Sequence, residues 1–212
     1  MKSKAVIICL LWSFAWVEVG AMNGACGGGA MTKRQTYLTE YLNEIESGTN
    51  RELLREVAQT SIVCRGQPTC GSNVVRVFNF FENGEEFNDA PTIAPTYSSE
   101  VLERLKTRYD ADIIVAEGAF IDKPMKYDRL VAIIDEKVKV GDHAIVRFEY
   151  KVTELGHVVN VFRSSDGVMR ALEFQGGFDV YKDTLQRDFL KFLAGDKVHL
   201  AEGKFGFLKV ID

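Results

Sequence analysis

Apolar residues recur at helical spacing in three stretches of the chain. Thr32-x-x-Gln35 has the form of a capping box, and Tyr37, Leu38, Tyr41, Leu42 and Ile45 follow on one face until Gly48. Thr49-x-x-Glu52 repeats the device ahead of Leu53, Leu54, Val57, Ala58 and Ile62. A third helix is expected from Ser98 or Ser99, with Val101, Leu102, Leu105 and Tyr109 inward and Glu100 pairing with Arg104 outside. Between the second and third helices, residues 74–81 are rich in Val and Phe and bounded by Asn and Gly, which predicts a strand.

Beyond the third helix the spacing changes to period two. Residues 112–121, 127–140, 143–153, 158–163 and 168–178 read as successive strands. Gly141-Asp142 and Asp166-Gly167 are hairpin turns between them, so neighbours are expected to pair antiparallel. In the third of these strands Ala144, Val146, Phe148, Tyr150 and Val152 share one face, and Ile145, Arg147, Glu149 and Lys151 share the other. One face of the sheet is therefore expected to be core and the other mostly wet.

Asp183-x-x-Gln186, with Leu185, Phe189, Phe192 and Leu193 and ended by Gly195, fits a short helix, although residues 178–193 also fit a continuation of the sheet. Residues 197–201 and 205–211 read as a closing hairpin across Glu202-Gly203. The expected class is α+β, with N-terminal helices packed on a curved antiparallel sheet. The order helix, helix, strand, helix and then a strand meander resembles the NTF2-like (cystatin-like cone) superfamily over about residues 32–178. That resemblance implies a sheet wrapped around helices and a pocket. Its members include isomerases, dehydratases, hydrolases and binding modules, so it brings no site residue with it.

The first residues carry an address rather than a fold. Lys2 and Lys4 precede an uncharged run over residues 5–17, and Glu18-Val19-Gly20-Ala21 offers a cleavage site, which is the layout of a secretory signal over 1–21. The run is shorter than the ~20 residues a spanning helix needs. Residues 22–31 read as a flexible Gly-rich tail and 32–212 as a single domain, with 178–212 as an extension. Export implies a secreted protein, or alternatively a periplasmic or lipid-anchored one. In an oxidising compartment Cys64 and Cys70 form a local disulfide around Gly66 and Pro68. Cys26 has three readings: a thiol in the tail, a link between two chains in a dimer, or a lipid attachment point.

Composition narrows the partners. A net charge of −4, with no basic run longer than Lys33-Arg34, lacks the footprint that nucleic acid or an anionic membrane demands. No membrane contact is expected after signal cleavage unless Cys26 is lipidated. His143, His157 and His199 have no metal-ligand spacing and are expected at the surface or in turns. Ser164-Ser165-Asp166-Gly167 lacks the glycines of a nucleophile elbow, and neither Gly27-Gly28-Gly29 nor Gly176-Gly177 opens a helix as a phosphate loop must. No metal and no cofactor are therefore expected.

Three residues are candidates for proton transfer. On the strand reading Glu117 shares a face with Ile113, Val115, Ala119 and Ile121, and Glu136 with Leu130, Ala132, Ile134, Val138 and Val140. A carboxylate among such neighbours would have a raised pKa, and Tyr150 stands on a core face nearby. Phe78, Phe80, Phe81, Phe148 and Phe174 are expected as core rather than as a ligand cavity. The functional expectation is a secreted, non-catalytic protein that binds a small apolar ligand or a protein partner. The alternative is an NTF2-like enzyme using Glu117 or Glu136.

Overall fold

The computed structural model describes residues 70–83, 98–154, 156–172 and 187–211. The signal segment, the Gly-rich tail, the two helices expected over 32–62, Cys26, Cys64, Phe174, Gly176-Gly177 and Asp183-x-x-Gln186 lie outside them. Among the described residues are four helices and five strands: α1 (Cys70–Asn83), α2 (Ser98–Arg108), β1 (Ile114–Gly118), α3 (Tyr127–Lys137), β2 (His143–Glu149), β3 (Gly156–Arg163), β4 (Met169–Leu172), α4 (Phe189–Asp196) and β5 (Gly206–Val210). The class is α+β, and the sheet is antiparallel with order β1-β5-β2-β3-β4.

Two segments expected as strands are helices. In α1 the residues Cys70, Val74, Val75 and Phe78 form a stripe at i, i+4, i+5 and i+8 that packs into one cluster with β2, β3 and β5. The β-preference of Val and Phe reflects how well they pack, and here the packing is onto a sheet rather than within one. In α3 the unbroken apolar run from Leu130 to Ile134 fits either period, and burial chooses the helical one: Leu130, Ile133 and Ile134 are inside, whereas Ala132 is exposed. No side chain at Lys126 caps α3, and its first N–H, on Tyr127, donates instead to Glu202 Oε1 at 3.4 Å.

The third expected helix is α2, with Val101, Leu102 and Leu105 buried and Tyr109 packed against the same cluster. α4 begins at Phe189, because Asp188 Oδ1 accepts from the N–H groups of Leu190 and Lys191 at 3.1 and 3.2 Å. The hairpin expected across Glu202-Gly203 is absent. Residues 197–199 form a single 3₁₀ turn, and β5 runs between β1 and β2, with Ala116 opposite Leu208 on one side and Ile145 opposite Leu208 on the other.

β2 and β3 pair from His143↔Phe162 to Glu149↔Gly156, and β3 turns into β4 through Asp166-Gly167, where Gly167 has φ +80°. Asp166 holds that turn by accepting from Ser164 Oγ and the Val168 N–H. Gly141-Asp142, expected as a hairpin turn, leads instead from α3 into β2.

Both faces of the sheet are covered, in place of the single buried face expected. Ala144, Val146 and Phe148 share a cluster with α3 and α4, while Ile145 lies with α1 and α2. Val152 lies past the end of β2 and is 88% exposed. His143, expected at the surface, is fully buried against Phe78 and Phe81, with ring centroids at 4.8 and 5.1 Å. Its Nε2 lies 2.7 Å from Glu82 Oε1 without the alignment of an N–H···O hydrogen bond, and its Nδ1 is likewise buried without a hydrogen-bond partner. Beside it the partners of Asp142 include Lys209 Nζ at 2.6 Å and the His143 backbone N–H at 2.9 Å.

Removing Lys209 takes an ion-pair partner 2.6 Å away from the buried Asp142 carboxylate. Lys209→Met should therefore lower stability by about 3–5 kcal/mol, and adding Asp142→Asn should recover a large part of it, both read from urea midpoints. The Ser164 hydroxyl, the Val168 N–H and Arg170 hold the Asp166 carboxyl below its ordinary range. Its contribution should be complete above about pH 4 and vanish as the pH falls through that lowered value. Because the group is exposed, Asp166→Asn at neutral pH should cost less than about 1 kcal/mol.

Candidate functional site

A cleft of about 350 Å³ opens beside the end of β1 on the α2 side of the sheet, lined by Ser99, Ala119, Asp122, Lys123, Pro124, Arg147, Gly203 and Lys204. Its walls come from three places that backbone hydrogen bonds tie together. The Gly118 carbonyl accepts from the Ile121 and Lys123 N–H groups at 2.9 and 3.1 Å, closing the loop after β1. The Ala119 N–H donates to the Phe205 carbonyl at 2.9 Å, and the Met125 N–H to the Gly203 carbonyl at 3.3 Å, which fastens that loop to the approach of β5.

Glycine is required at two of these points. Gly118 has φ +70°, and a Cβ there would fall 2.1 Å from the Phe205 carbonyl oxygen. At Gly206 a Cβ would meet the Phe120 ring at 2.7 Å and the Arg147 Cβ at 3.3 Å. The space so left holds Arg147, which lies between Gly206 on β5 and Val158 on β3. Its Nη1 donates to the Lys204 carbonyl at 2.8 Å and its Nη2 to Glu149 Oε2 at 3.0 Å, so the guanidinium is fixed at both ends and only 14% exposed.

Elsewhere among the described residues Lys106, Arg129, Lys137, Arg163, Arg170, Lys191, Lys197 and Lys209 each pair with a carboxylate. Among the described residues neither Lys123 nor Lys204 has such a partner. Among the described residues the cleft therefore presents two uncommitted ammonium groups and a fixed guanidinium, with Asp122 as the carboxylate in its lining.

The candidates named from the sequence lie elsewhere and are not brought together. Glu117 is half-buried on the edge strand β1 and bound to Arg129 of α3 at 3.2 Å. Glu136 is on α3 rather than a strand, 61% exposed and paired with Lys137; its expected core-facing position depended on the strand assignment. Tyr150 follows β2, bridges to Leu200 and sets its ring edge against Phe148 at 5.6 Å. Cys70 opens α1 and is buried. His157 is half-buried with its ring on Phe148, and His199 is exposed. Phe78, Phe80, Phe81 and Phe148 are core.

Among the described residues no three His, Cys, Asp or Glu side chains are grouped to hold a metal, and no helix is long and apolar enough to cross a membrane. No protein-family model matches the chain. No curated protein matches it either.

Sequence reasoning assigned Arg147 to a wet face and passed over Lys123, Lys204 and Ser99. The available signal was a pair of Gly- or Pro-flanked lysines, Lys123-Pro124 and Gly203-Lys204, which only the fold brings to one opening. Because Gly118 meets a backbone atom and Gly167 meets nothing, these two of the positive-φ glycines should separate strain from collision. Gly167→Ala should cost about 1 kcal/mol, and Gly118→Ala well over about 2 kcal/mol, by urea denaturation.

Proposed function

We propose that the protein is an exported, non-catalytic binding protein whose ligand sits in the cleft beside Arg147. The observation that carries this reading is the clamping of Arg147 between the Lys204 carbonyl and Glu149, at the foot of walls already fastened by backbone hydrogen bonds. A site whose groups are held before the ligand arrives loses less entropy on binding. Its volume of about 350 Å³ lies in the range of small-molecule sites.

An apolar ligand, the small-molecule form of the sequence expectation, would need an apolar cavity. The cleft is lined largely by charged and polar groups, so the proposed ligand is polar. Export is supported by the lysine-flanked apolar run and the Ala21 cleavage site. For the fold, helices packed on an antiparallel sheet are what supports an NTF2-like relationship, and the helix pair on the second face is an addition to that pattern.

Titrating the mature protein with a panel of polar small molecules while recording amide ¹H–¹⁵N spectra should move Ala119, Lys123 and Lys204 saturably. Shifts confined to other parts of the chain would overturn the assignment. Intact mass of the protein isolated from its native source should correspond to a chain beginning after Ala21.

A further inference from the structure

We infer that the cleft recognises a tetrahedral dianion, the phosphate group of a small phosphate monoester. This rests on the cleft being the ligand site, as proposed above, and adds the chemistry of what enters it.

Charge comes first. The chain is acidic overall, at −4, yet this opening gathers Lys123, Lys204 and Arg147, with Asp122 in its described lining and Glu149 on the Arg147 guanidinium. Elsewhere among the described residues several lysines and arginines pair with Asp or Glu, while Arg104, Lys126, Lys139 and Lys151 are exposed or half-exposed without a carboxylate partner and do not share one opening. Lys123 and Lys204 face one cleft in which negative charges are fewer than positive ones, and an anion there lowers their repulsion.

The kind of anion follows from which donors remain. The planar fork of a mobile arginine matches carboxylate and phosphate alike, whereas a lysine lacks the two parallel N–H groups that a planar carboxylate uses best. In Arg147 one N–H of Nη1 is on the Lys204 carbonyl and one of Nη2 on Glu149, so the guanidinium is anchored rather than free to turn onto a ligand. The side chains that can move onto a ligand are the lysine ammonium groups, which act as point charges with three rotatable donors and suit a group whose charge is spread over several oxygens. The Ser99 hydroxyl adds a neutral donor to the lining. Ser99 also lies in the first turn of α2, but Glu100 in that turn meets part of the helix field, so the lysines carry the recognition.

The bond between Arg147 and the Lys204 carbonyl has a second effect. It fixes the backbone from which the Lys204 side chain extends, so Arg147 acts as a positioning residue and its charge reaches the ligand only through the field. Asp122, at φ 55°, stands next to Lys123 and disfavours a second anionic group there, which fits a ligand with one phosphate rather than a polyphosphate.

The experiment uses the whole mature protein with inorganic phosphate, glycerol phosphate, acetate and glycerol as probes, followed by amide ¹H–¹⁵N spectra and by the lysine Nζ signals. Phosphate and glycerol phosphate should shift Lys123 and Lys204, should bind more tightly than acetate, and should weaken as salt is raised. Lys123→Gln and Lys204→Gln, both at exposed positions that leave the core intact, should each weaken phosphate binding about fivefold, the worth of one charge contact in a water-exposed site. Phosphate binding unchanged in the double variant would overturn the inference, as would acetate binding as tightly as phosphate. Glycerol or another neutral probe shifting the cleft while phosphate does not would sink the phosphate assignment and leave the cleft as the ligand site. No probe of any class acting there would remove both.

Discussion

β2 is buried on both faces, and most of the structure answers to that constraint. A strand with helices above and below has no water to satisfy its polar side chains, so each must find a protein partner or destabilise the fold. Asp142, just before the strand, takes Lys209 of β5, and His143 takes Glu82 of α1. Arg147, two-thirds of the way along, takes the Lys204 carbonyl ahead of β5 and Glu149 on its own strand. The partners come from elements far apart in sequence. Satisfying one strand thus brings α1 onto one face and places the last strand in the middle of the sheet.

The same constraint builds the cleft. Arg147 faces the α1 and α2 side, where an unpartnered guanidinium would be costly, and small residues make room for it: Gly206 beside its Cβ and Gly156 beside its guanidinium. Fixing Arg147 to the Lys204 carbonyl sets the course of the chain ahead of β5. The Ala119 N–H to Phe205 bond then draws the loop after β1 alongside. Lys123 and Lys204 come to one opening because the packing of a buried arginine leaves their backbones nowhere else to go.

Candidate proton-transfer residues chosen by strand face depend entirely on the period assigned to their segment. Glu136 illustrates this. Over residues 130–134 every position is apolar, so the period is undetermined there, and moving from strand to helix turns Glu136 from the interior to the solvent. Glu117 does lie on a strand, but at the sheet edge, where Arg129 reaches it.

The sequence by itself determined features whose cause lies within a few residues: the α2 stripe of Val101, Leu102 and Leu105, the Asp166-Gly167 turn between β3 and β4, the alternating face of β2, and the α+β class. Local spacing and turn chemistry suffice for these. Tertiary structure alone decided that α1 and α3 are helices, since their Val-, Ile- and Phe-rich runs satisfy both periods and burial against the sheet selects one; α3 even donates its first N–H to Glu202, 75 residues away. It also decided the position of β5, the burial of His143 and the meeting of Lys123, Arg147 and Lys204. Each of these depends on which distant group satisfies a buried polar atom, and spacing along the chain carries no record of that.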